Sequence, residues 1–150
     1  MMKKLLLILI CLPMIGLGQY RFVSKENLTL IANGQSTSLT KKQTNYIWIY
    51  IGSSDKPEAG ILNYAEVRIS NMYDFSRATE RSEYKIWNIH PKDDGKILYW
   101  VESYSIRNRY FILDLVSLRK NITEVLYNKN HPERAIYESD ILKKTIYYLE

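Results

Sequence analysis

Tyr64-Ala65-Glu66-Val67-Arg68-Ile69-Ser70 decides the fold class. Ala65, Val67 and Ile69 fall on one side of an extended chain, and Glu66, Arg68 and Ser70 fall on the other. Successive strand side chains point to opposite faces, so this period of two marks a strand with one buried and one wetted face. The rhythm recurs through the chain, which predicts sheets rather than helices.

Before this stretch, Asn45 to Gly52 carries Ile47, Ile49 and Ile51 on one face and Tyr46, Trp48 and Tyr50 on the other. Neither face is polar, so the strand is expected to be covered on both sides. Leu28 to Ala32 leads into Asn33-Gly34, a dipeptide suited to a tight hairpin turn. Gln35 to Leu39 is polar except at its end, so that hairpin reads as an edge or a loop. Ser53 to Gly60 reads as a surface loop, broken by Pro57 and Gly60.

After it, Asn71 to Ser82 has no period and reads as a loop with room for one helical turn. Tyr84 to Ile89 is a strand, and Asp94-Gly95 is a strong turn signal. Lys96 to Ile106 and Arg109 to Ser117 are long strands, expected to join at Arg107-Asn108. Asn121 to Tyr127 adds another strand. At the end, Ser139-Asp140 can cap a helix from Ile141, with Leu142, Ile146 and Leu149 in one stripe. A strand over Thr145 to Leu149 competes, and the helix is the preferred reading. The expected fold is mainly β, a single-domain antiparallel β-barrel or two-layer β-sandwich of seven or eight strands, with one C-terminal helix.

The first eighteen residues read as an address. Lys3-Lys4 makes a positive head, Leu5 to Leu12 an apolar run, and Gly16-Leu17-Gly18 a small-residue cleavage site. The apolar stretch is short of the roughly 20 residues that cross a bilayer, so no membrane span is expected once the leader is cleaved. The expected organisation is a signal peptide over 1–18 and one mainly-β domain over 19–150, exported to the periplasm or the cell exterior. Lipid anchoring through Cys11 is the alternative, although Ile10 stands where a small residue normally precedes the modified cysteine.

Cleavage removes the only cysteine, and with it disulfides and thiolate chemistry. Loss of Lys3 and Lys4 lowers the formal net charge from +5 to +3. The charges are evenly spread with no basic stripe, which excludes nucleic acid as the expected partner.

Little in the chain spells out chemistry. Its two histidines, His90 and His131, each precede a proline and form no zinc-ligand spacing, so no metal and no cofactor is expected. Gly52-Ser53-Ser54 lacks the second glycine of a nucleophile elbow. Glu66, Glu102, Asp114 and Glu124 sit on strands, where a rigid scaffold can hold a catalytic carboxylate pair. With the turn at Arg107-Asn108, Glu102 faces Leu113 and lies on the opposite face from Asp114, which forbids a dyad. Glu66 is expected to face solvent. Asn27-Leu28-Thr29 and Asn121-Ile122-Thr123 match the glycosylation triplet.

The aromatic inventory is the stronger signal: three tryptophans and thirteen tyrosines, all beyond the leader. Trp48, Tyr50, Trp87, Trp100 and Tyr104 are the candidate ligand-binding residues, for an apolar or sugar ligand or a protein partner. The function expected is a non-catalytic binding or interaction domain. A small secreted hydrolase, its carboxylates united only by the fold, is the alternative.

Overall fold

The computed structural model describes residues 18–32, 36–52, 65–128 and 138–150. It is a single domain, an eight-stranded closed antiparallel β-barrel with one additional strand. The strands are β1 (Gly18–Ala32), β2 (Ser36–Lys41), β3 (Asn45–Ile51), β4 (Ala65–Ser70), β5 (Arg81–Pro91), β6 (Ile97–Ser103), β7 (Ile106–Asp114), β8 (Asn121–Tyr127) and β9 (Ile141–Leu149). From β3 to β9 each strand pairs with the next, and β9 pairs back with β1. Residues 1–17 of the expected leader, Cys11 among them, the expected turn at Asn33-Gly34, the expected loop at Ser53 to Gly60 and His131 lie outside the described residues.

Strand β1 uses one edge twice. Its first half pairs with β3, from Gly18 opposite Ile51 to Ser24 opposite Asn45. Its second half pairs with β2, from Asn27 opposite Lys41 to Ala32 opposite Ser36. The predicted polar edge strand is thus β2, continuing the line of β3 beyond the barrel wall. Paired residues run from Ile31 through Lys143, Leu126, Arg109 and Val101 to Ile86, beside the row of Lys85, Glu66, Tyr50 and Gln19. One circuit returns to β1 about a dozen positions earlier, the stagger that tilted strands need to close a barrel.

Alternation places the apolar faces inside. Ile47, Ile49, Val67, Tyr99, Val101, Phe111, Leu113 and Ile122 are all at most 1% exposed. Each such side chain contributes roughly 1.5–3 kcal/mol by leaving water. Strand β5 keeps Ile86 and Ile89 both inside only because the register shifts between Ile86 and Asn88. Trp87 is the extra residue at that bulge. The outer wall carries Glu66, Arg68, Glu83, Lys85 and Glu102 midway along three strands. On β4 and β5 the outward side chains are polar, whereas β3, β6 and β7 turn Trp48, Trp100 and Tyr110 outward. Among the described residues no helix is long and apolar enough to cross a membrane.

The structure corrects two expectations. The β6–β7 turn is at Tyr104-Ser105, with φ of 50° and 65°, not at Arg107-Asn108. Trp100 therefore pairs with Tyr110, and Leu113 pairs with Ile97 rather than Glu102. Both central residues of this two-residue loop are left-handed, as its primed geometry requires, although glycine and asparagine are the usual occupants. Their absence concealed the turn. Second, 141–149 is strand β9 and not a helix. It hydrogen-bonds β8 on one edge and β1 on the other, and this double pairing outweighs a four-and-three apolar spacing in so short a segment.

The Asp94-Gly95 turn stands as expected. Gly95 has φ of 87°, and Asp94 Oδ1 accepts from the Lys96 amide at 3.1 Å. The loop after β4 contains the expected single turn, a 3₁₀ segment at Phe75–Arg77. Asn27 of the first glycosylation triplet is buried in β1, and the Asn121 amide of the second donates to Arg119 O.

Candidate functional site

The loop between β4 and β5 builds a site by folding back onto the outer wall. Its base is pinned where the Asn71 amide donates to Glu80 O at 3.1 Å and Asn71 Nδ2 to Thr79 Oγ1 at 2.7 Å. Asp74 caps its 3₁₀ turn, accepting from the Ser76 amide and hydroxyl at 3.1 and 2.6 Å. This seats Tyr73 and Phe75 edge-on against Trp48, each with its ring centroid 6.3 Å from the indole. Trp48 is left 7% exposed. Of the outer face of that strand, Trp48 is thus covered by the protein, while Tyr46 and Tyr50 stay half-buried. Arg21 donates to the Tyr73 hydroxyl, and Arg68 lies 5.0 Å over the Phe75 ring.

Two grooves lined by described residues adjoin this loop, and a third adjoins the second of them. The first, of 560 Å³, lies among Gln19, Arg21, Trp48, Tyr50, Glu66, Arg68, Tyr73, Asp74 and Phe75. The second, of 640 Å³, shares Glu66 and Phe75 with it and runs past Arg81, Glu83 and Lys85 to Glu102, Ser103 and Tyr104. The third, of 260 Å³, shares Tyr84, Ser103 and Tyr104 with the second and ends at Ile106, Asn108 and Arg109. Shared wall residues set the three side by side as a segmented trench, from the outside of β1 to the barrel mouth below the β6–β7 turn.

The five candidate residues divide. Trp48 and Tyr50 line the first groove, and Tyr104 forms the wall between the second and third. Trp87 and Trp100 belong to a different outer cluster with Tyr110 and Tyr127. There Trp100 lies 4.9 Å from Tyr110, and Arg107 covers Trp87 at 4.3 Å. The Tyr127 hydroxyl donates to Arg107 O at 3.1 Å, and Tyr127 is 1% exposed. Trp87, Trp100 and Tyr110 of that cluster stay half-buried.

The carboxylates also separate. Glu66 points outward as the alternation requires, but it is 6% exposed rather than solvated, because Arg68 and the loop cover it. Arg68 also reaches Glu83 at 3.7 Å. Glu102 is held by Arg107 at 3.1 Å and Lys85 at 3.9 Å. Asp114 ties down the turn after β7, accepting from the Val116 and Ser117 amides at 3.1 and 3.0 Å and from the Ser117 hydroxyl at 2.6 Å. Burial raises its pKa, but the Ser117 and Val116 hydrogen bonds and Lys96 outweigh that and hold it below the usual value. Glu102 and Asp114 share the outer face, contrary to the expectation, and sit at opposite ends of the barrel. They form no dyad for that reason.

Inside the barrel mouth lies a polar group that the sequence pattern leaves among ordinary strand residues. Arg109 Nη1 donates to Glu124 Oε1 at 2.9 Å and to the Tyr84 hydroxyl. Burial raises the Glu124 pKa, while Arg109 and Lys143 oppose that rise. Burial first, then the Glu124 charge, raises Tyr84 and Tyr147. The signal was available: Arg109 shares the face of Phe111, and Glu124 that of Ile122. Among the described residues no three histidine, cysteine or acidic side chains converge to hold a metal. Comparison with known proteins gives no match to a family model, a curated protein or a solved structure, so the chemistry of the trench is what bears on function.

Proposed function

We propose that this chain is an exported, non-catalytic interaction domain that holds an extended segment of a partner polypeptide in the outer trench. The succession of three adjoining grooves carries this reading, because a long line of open grooves matches a chain rather than a compact ligand. Its lining mixes cations and carboxylates, from Arg21, Arg68 and Glu66 to Glu83, Lys85 and Glu102. That pattern suits charged peptide side chains. Neither Trp48 nor Trp87 presents the bare indole face of a sugar platform. The leader-like 1–18 segment supports export.

The test is selection from a decapeptide library displayed with free C-termini, followed by NMR mapping on the full domain. The expected result is shifts along Arg21, Tyr50, Arg68 and Tyr73, with at least tenfold weaker binding by Tyr73→Ala. Shifts confined to the Trp87–Trp100 side would overturn the reading.

One observation favours hydrolysis as a second reading: Glu66, Glu83 and Glu102 all line the 640 Å³ groove. Each is tied to a basic side chain, whereas a general acid needs surroundings that keep it protonated. Cleavage of a peptide or glycan that disappears in Glu102→Gln would establish it.

A further inference from the structure

The far end of the trench differs from the rest, and a role for it as a peptide subsite rests on the trench reading. At 260 Å³ it is smaller than the roughly 300–1,000 Å³ of ordinary ligand sites, which suits one terminal residue and not a chain. Its rim is apolar and uncovered: Tyr104 is 98% exposed and Ile106 59%. Its inner wall is cationic, formed by Arg109 with the Tyr84 hydroxyl beside it.

The charges behind that wall do not balance. Glu124 pairs with Arg109 at 2.9 Å, and Lys143 adds a second positive charge at longer range, with Tyr84 and Tyr147 as the other titratable neighbours. Arg109 has five N–H donors in a planar fork. Nη1 is shared between Tyr84 and Glu124, Nε is shut from solvent, and the side chain keeps 23% of its surface open toward the groove. A second anion would complete this arrangement. A cation would meet a carboxylate already neutralised.

We propose that this pocket recognises the C-terminal residue of the bound polypeptide, its carboxylate held at Arg109 and its apolar side chain between Tyr104 and Ile106. The trench is then directional, with the chain end at the barrel mouth and the preceding residues lying toward β1.

The test uses a library-selected peptide with a C-terminal leucine, made as free acid and as amide, with N-acetyl-leucine as a third probe, each titrated by NMR. The acid is expected to bind at least tenfold tighter than the amide and to shift residues 103–109. Arg109→Gln abolishes that preference. Tyr104→Ser, at a fully exposed position that leaves the core intact, weakens the acid several-fold, and Glu124→Gln strengthens it by removing the competing carboxylate. Equal affinity for acid and amide, with shifts along the trench, overturns the carboxylate pocket and leaves the trench reading standing. Loss of binding in Glu124→Gln overturns it in favour of a cationic ligand. Selection of no peptide, with N-acetyl-leucine still shifting 103–109, overturns the trench reading and assigns the pocket to a small free acid. No shift with any probe overturns both.

Discussion

The two halves of the barrel interior are built on different chemistry. Below the level of Val101 the lining is hydrocarbon and aromatic ring, with Ile97, Tyr99, Phe111, Leu113 and Ile122 almost wholly shut from water. Toward the mouth the same strands present Tyr84, Arg109 and Glu124, joined by hydrogen bonds through one guanidinium. One fold thus carries a half that supplies stability and a half where charge is kept near an opening. Burying an ion pair costs desolvation that its attraction barely repays, so the upper half is a poor device for stability alone.

The contrast is sharpest under truncation. Phe111→Ala in the packed half is expected to cost about 3–5 kcal/mol, read from the urea midpoint, because the closed wall collapses little around the cavity. Glu124→Ala in the upper half strands Arg109 and is expected to cost about 3 kcal/mol. Glu124→Leu with Arg109→Met removes both charges and is expected to restore most of that loss. If the double variant is as unstable as Glu124→Ala, the pair is structural cement and the contrast fails.

Next in size comes Asp114→Ala, at the lower end, which loses the three hydrogen bonds holding the turn after β7. A loss of about 1–2 kcal/mol is expected. The two carboxylates also oppose each other in pH. Asp114 titrates below its ordinary 3.8, so its contribution is present above that value and is lost as pH falls through the folded pKa. Glu124 titrates above its ordinary 4.5, so its contribution is full below 4.5 and declines as pH rises through the folded pKa. Measured against Glu124→Gln, the wild type should therefore lose ground as pH climbs from 4.5. Measured against Asp114→Asn, it should gain ground as pH climbs past the folded Asp114 pKa toward 3.8. Curves of the same sign would refute the assignment. The smallest effect is at the β6–β7 tip. Tyr104→Gly relieves a left-handed residue that packs on little and is expected to raise stability by about 1 kcal/mol in thermal melts.

Much of this was readable along the chain. Ala65, Val67 and Ile69 were assigned inward and lie there, and β8 runs over the expected Asn121–Tyr127. Each depends only on neighbours two residues away. The turn at Tyr104-Ser105 was not readable, because its left-handed pair carries no glycine or asparagine and Arg107-Asn108 beside it was the better local signal. Strand β9 was misread because its helix spacing is local while the two edges that pair it belong to β1 and β8. For the site, Trp48, Tyr50 and Tyr104 were named from their chemistry. The Asn71–Glu80 loop that walls the first two grooves was only a loop without a period.

Which side of each strand meets water follows from the order of residues alone, since a pleated backbone sends neighbouring side chains opposite ways. Closure into a barrel, the encounter of Arg109 with Glu124, and the succession of three grooves did not follow from that order. They depend on register between strands far apart in the chain. A shift of one residue there exchanges inside for outside without altering any local pattern.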